Sequence, residues 1–85
     1  MDTQELKIPL ERIAILIGKN GETKKKLEKK KHVELEIHSE EGDVLIHGED
    51  SVAVFDTAIV VKAIARGFNP ELAELLYDEE YTLEL

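Results

Sequence analysis

Hydrophobic and polar positions change their period several times along the chain, and each change marks an element. Residues 5–9 alternate and end at Pro9, which predicts a short first strand. Leu10, Ile13, Leu16 and Ile17 then fall at helical spacing, so residues 10–17 are predicted to be a helix that Gly18 stops. A second helix is predicted over 22–31, with Glu22 first and lysines last, matching the helix dipole at both ends. Leu27 is its only strongly hydrophobic residue, so its packing side also needs the methyl of Thr23 and some lysine methylenes.

Val33, Leu35 and Ile37 alternate with Glu34 and Glu36, which predicts a strand over 33–37 with one face on the core. Residues 39–42 read as a turn and 43–47 as the returning strand. Residues 48–51 close that hairpin and supply a helix N-cap. A long helix follows over 52–66, with Val52, Phe55, Ile59 and Ala63, flanked by Ala58 and Val60, assigned to a wide apolar face. Arg66 and Gly67 stop it. Asn69, Pro70 and Glu71 open a shorter helix, and residues 81–85 alternate like a strand. The order predicts an α+β fold, with helices on one face of a three-stranded antiparallel sheet.

Composition narrows the class. Eighty-five residues make one domain with a modest core. There is no cysteine, which excludes disulfides and thiolate metal sites and fits a reducing compartment. The start of the chain is acidic and polar rather than signal-like, and the longest apolar run, 13–17, is far too short to span a bilayer. A soluble cytoplasmic protein is expected. Charged residues dominated by Lys and Glu, without Cys or Trp, lean toward a thermophile.

Charge first argues against a nucleic-acid partner, because the net value is −8. Its distribution reverses that argument. Residues 19–31 hold seven of the eleven basic residues against two acids, about +5 in all, which leaves −13 on the rest of the chain. Residues 67–85 carry six acids and no base. A small basic face on an acidic body orients an anionic strand toward that face.

The centre of the basic segment is Gly18-Lys19-Asn20-Gly21. Glycine at both corners lets another backbone approach closely, since no Cβ stands in the way. The amides after Gly21 belong to the first turn of the next helix, which attracts anions. Lys19 offers a point charge and Asn20 an amide donor. The plainer reading is a tight helix–helix turn, for which glycine is equally suited. Lysines 24–31 can likewise be only a solvated helix face. Lys19, Lys24 and Lys25, near the loop, are the ones expected to touch a ligand, with Lys29, Lys30 and Lys31 contributing long-range field.

Other chemistries find no support. His32, His38 and His47 have neither cysteine partners nor helical i,i+4 spacing, so no metal is expected. Residues 18–24 faintly echo a phosphate-binding loop but lack its four-residue spacer and its Gly-Lys-Ser/Thr ending. No carboxylate pair is marked out for acid–base work. No enzyme activity and no cofactor are expected.

The element order and the run from Ile13 to Gly21 resemble a type I KH domain, whose first helix runs Val-Gly-x-Ile-Ile-Gly-x-x-Gly. Lys7-Ile8-Pro9, residues 18–25, residues 39–42 and Ala65-Arg66-Gly67-Phe68-Asn69-Pro70-Glu71 are more narrowly similar to the archaeal KH proteins of small ribosomal subunit assembly, relatives of the eukaryotic "partner of Nob" protein. Two positions depart from the family pattern: Lys31-His32 replaces its Thr-Gly, and Lys24 stands where KH domains generally place an apolar residue.

The resemblance implies a groove for about four unstacked nucleotides, flanked by the first helix and the edge of the middle strand. Ala14 sits where the family favours a small residue. The implied RNA-contacting set is Ala14, Gly18, Lys19, Asn20, Gly21, Lys24 and Lys25. The family has two KH domains, so residues 1–68 are read as the first and 69–85 as a helix and partial strand leading toward a second. The implied partners are single-stranded RNA, namely small-subunit rRNA near its 3′ end, and the maturation endonuclease. Self-association through 81–85 is a further expectation. The competing reading is a KH fold that docks a protein through its acidic surface.

Overall fold

The computed structural model describes residues 2–70. Its elements run β1 (Asp2–Lys7), α1 (Leu10–Ile17), a 3-10 turn (Lys19–Gly21), α2 (Glu22–Lys31), β2 (Glu34–His38), β3 (Asp43–Gly48) and α3 (Ser51–Ala65). The sheet has three antiparallel strands in the order β1-β3-β2. α3 lies against β1 and β3, α1 against α3, and α2 against α1, α3 and β2. The predicted α+β class therefore holds.

The strands show why one face is covered. Leu35, Val44 and Ile46 point inward and are buried, with half-buried Leu6 and Ile37 beside them. The alternate positions Thr3, Glu5, Glu34, Glu36 and His38 are exposed. The period-two pattern thus produces an apolar face for the helices and a polar face for water.

α3 supplies most of the helical contribution to the core, through Ala53, Val54, Thr57, Ala58, Val60, Val61, Ala63 and Ile64. The Thr57 hydroxyl is buried but donates to the Ala53 carbonyl at 2.8 Å. Asp50 caps the helix by accepting from the Val52 N–H at 2.9 Å. At the other end, Phe68 N–H donates to the Ala63 carbonyl and Gly67 N–H to that of Ile64, both at 3.1 Å. That pair of bonds is a Schellman stop, with Phe68 folded back on the core. Arg12 of α1 completes it: its Nε donates to the Ile64 carbonyl at 2.8 Å and its Nη2 to that of Phe68 at 2.9 Å.

Two expectations need correction. The first strand runs Asp2–Lys7 rather than 5–9, because pairing of Asp2 with Gly48 extends the ladder through residues too polar to alternate visibly. Pro9 instead caps α1. The apolar face of α3 is also turned. Val52 and Phe55 are 63% and 59% exposed and Ile59 is half-buried, while Val54, Val61 and Ile64 take the core. α3 is apolar nearly all round, so helical spacing alone does not choose the buried side.

Residues 71–85 lie outside the described region, and with them most of the shorter helix and all of the strand expected over 81–85. Among the described residues no helix is long and apolar enough to cross a membrane.

Candidate nucleic-acid interface

α1 ends because Gly18 leaves helical geometry at φ 77°, ψ 173°, its N–H still bonded to the Ala14 carbonyl at 2.9 Å. The next three residues make one tight turn, closed by Gly21 N–H on the Gly18 carbonyl at 3.1 Å. Asn20 and Gly21 are both left-handed, at φ 56° and 75°. Asn is one of the few residues with a side chain that tolerate this region. α2 then starts at Glu22.

The two glycines do different jobs. A Cβ on Gly18 would collide with the Thr23 side chain and come within 2.8 Å of the Thr23 backbone nitrogen. Gly18 is thus required by the protein's own packing, as the plain turn reading holds. A Cβ on Gly21 would meet nothing nearer than Lys25 Cε at 3.9 Å. The protein leaves that side of the loop open, so a ligand backbone can approach the main chain there.

The predicted residues differ in exposure and pairing. Ala14 is exposed on α1, and Lys19 and Asn20 are exposed in the turn. Lys25 is exposed beside Gly21. Lys19 and Lys25 make no ion pair among the described residues. Lys24 differs: it is half-buried, and its ammonium lies 3.6 Å from Glu28, so part of its charge is spent within the helix. Lys31 pairs with Asp56 at 3.4 Å, away from the loop.

The strand order corrects the expected groove wall. The middle strand of the sheet is β3, whose two edges are both paired, so the open edge beside α2 belongs to β2, the middle strand in chain order. Glu28 marks that edge by accepting from the Leu35 N–H at 2.8 Å. Neither Glu28 nor Arg12 was anticipated. Both act through side-chain bonds to distant backbone, which leave no periodic trace in a sequence.

The family departure at Lys31-His32 leaves the turn intact. His32 adopts the left-handed conformation, φ 53° and ψ 49°, at the position where the resemblance expects glycine, and its N–H still reaches the Glu28 carbonyl. The other two histidines sit on the solvent face of the sheet. His38 Nε2 lies 2.6 Å from one Glu36 oxygen and His47 Nε2 3.2 Å from the other. The hydrogen bond to His38, then that to His47, hold the Glu36 carboxyl below the usual carboxylate range. Among the described residues no group of three or more His, Asp or Glu is placed to hold a metal. A shallow depression of about 190 Å³ at the β2–β3 turn is lined by His38, Ser39, Glu40 and Glu41, the wrong charge for phosphate.

Comparison with known proteins agrees with this geometry. The KH domain profile matches residues 3–64. A KH domain-containing protein of Methanocaldococcus jannaschii is 48% identical over 84 residues, covering 94% of this chain and 37% of that protein. The crystal structure of Dim2p from Pyrococcus horikoshii superposes with a TM-score of 0.92 at 44% identity, covering 99% of this chain and 53% of that one. A chain in the a/eIF2α–aDim2p–rRNA complex of the same organism gives 0.88 at 45% identity, over 92% and 46%. The chain therefore spans about half or less of the length of these relatives.

Proposed function

The chain belongs to the KH domain family, and from that premise we propose that it binds single-stranded RNA through the 18–21 loop, as a module of a small-subunit ribosome-assembly factor. The observation that carries the proposal is the open side of Gly21. Lys19 and Lys25 are exposed, the first amides of α2 follow Gly21 directly, and a Cβ at Gly21 would meet nothing nearer than Lys25 Cε at 3.9 Å. The phosphate backbone lies along this loop, with bases directed toward α1, where Ala14 is small, and toward the free edge of β2.

The assembly role is supported by similarity to Dim2p, one of whose matching structures is a complex with rRNA. The proposal extends to an rRNA segment near the 3′ end, to the maturation endonuclease as a partner, to a second KH domain beside this one, and to a cytoplasmic binding module rather than an enzyme. The competing reading is protein docking through the acidic surface. It draws on Glu5, Glu34 and Glu36, exposed together on the open sheet face.

Salt dependence separates the two. A groove that neutralises two or three phosphates gives log K against log salt a slope of about −1.5 to −2, at roughly −0.7 per charge for single strands. Titration of short single-stranded RNAs at two salt concentrations measures it. RNA binding with that slope supports the loop, and no RNA binding at either concentration favours protein docking.

A further inference from the structure

We propose that the exposed face of α3 is a self-association surface, on which a second copy of this chain packs antiparallel about a two-fold axis. The face consists of Val52, Phe55, Ile59, Lys62 and the C-cap Arg66. These residues stand three and four positions apart in turn, the spacing of a helix–helix seam. Val52 and Phe55 are 63% and 59% exposed, Ile59 is half-buried, and Lys62 and Arg66 are exposed. The core does not use them, since α3 fills it with eight other side chains.

The chemistry along the seam is ordered. Exposed Glu49 and Asp50 stand at its N-terminal end, the three apolar residues follow, and Lys62 and Arg66 close its C-terminal end. Glu49, Lys62 and Arg66 make no ion pair among the described residues. A run of acid, apolar and base is complementary to its own reverse. One antiparallel register sets Val52 opposite the second copy's Ile59 and Lys62 opposite its Glu49, and brings the two Phe55 rings together at the axis. The two-fold then makes each off-axis contact twice, and stacked or edge-on rings suit the centre. Antiparallel helices also oppose their dipoles, whereas a parallel pair would set like charges side by side. A phosphate strand is a poor occupant, because three apolar residues fill the middle of the face. The seam is only about 21 Å long, so the dimer is a weak and concentration-dependent one.

Sedimentation of this chain over a range of concentrations tests the proposal. Reversible dimers are expected between about 10 μM and 1 mM. Phe55→Asp changes an exposed side chain, so the variant is expected to keep its circular dichroism melt and to lose the dimer. Lys62→Glu is expected to weaken association about tenfold, since the lost contact occurs twice. Adding Glu49→Lys to Lys62→Glu restores the pairing with its charges exchanged, and with it the dimer. A chain that stays monomeric throughout overturns the proposal and leaves the seam to another occupant. A dimer that survives Phe55→Asp, or a Lys62→Glu loss that Glu49→Lys does not restore, overturns it too. RNA binding by the 18–21 loop is untouched by either result.

Discussion

α2 and α3 pack on the same sheet, yet they are built on opposite plans. α3 buries eight side chains over fifteen residues and has an N-cap, a Schellman stop and an arginine on its Ile64 carbonyl. α2 buries one side chain, Leu27, over ten residues. Among the contacts that hold α2 besides Leu27 are polar, peripheral ones: Glu28 on the Leu35 amide and Lys31 on Asp56. The difference separates two tasks. α3 and the strands carry stability, while α2 and the turn before it present charge and open backbone, which the proposed function assigns to RNA. A helix that must stay polar on most sides can rest on a single apolar anchor only if that anchor is fully enclosed, as Leu27 is.

Leu27→Ala is the harshest trial of this division. Losing the sole anchor is expected to cost about 3 kcal/mol by urea denaturation and to abolish RNA binding as α2 loosens. A cost below about 1 kcal/mol would mean that the polar contacts hold α2 unaided.

The two glycines sharpen the comparison within one turn. Gly18→Ala forces a Cβ onto Thr23 as well as straining φ, and about 2–3 kcal/mol of stability should be lost. Gly21→Ala meets open space, so its stability cost should be only that of the left-handed backbone, about 1 kcal/mol. Its effect on RNA affinity should exceed its effect on folding, since its Cβ projects where the ligand approaches. Equal losses of stability at both positions would show that both glycines serve the turn alone.

His32→Gly works in the other direction. It relieves a left-handed histidine and should raise stability by about 0.5 kcal/mol, with RNA affinity unchanged because residue 32 lies at the far end of α2 from the loop. A loss of stability would show that the histidine ring, not the backbone, decides that position.

The helices were legible because their punctuation is local. Gly18 ends α1 and Gly21 opens α2 through backbone angles that few other residues adopt, so residues 10–17 and 22–31 stand where the spacing put them. The turned face of α3 was not legible, since apolar residues surround that helix and only its packing on β1 and β3 decides which side is covered. At the candidate interface, the tight turn over 18–21 could be read from its glycine spacing. Which lysines are already paired could not, because the Lys24–Glu28 contact and the Glu28–Leu35 bond depend on how α2 meets β2.

The central claim is that the exposed side chains of the 18–21 loop grip RNA while contributing little to the fold, and the double variant Lys19→Asp with Asn20→Asp tests it most directly. Both side chains are exposed, and aspartate tolerates the left-handed conformation at position 20. Thermal melting by circular dichroism and RNA titration on the same sample should give an unchanged melting temperature and abolished binding. Unchanged affinity for single-stranded RNA in the folded double variant would contradict the account.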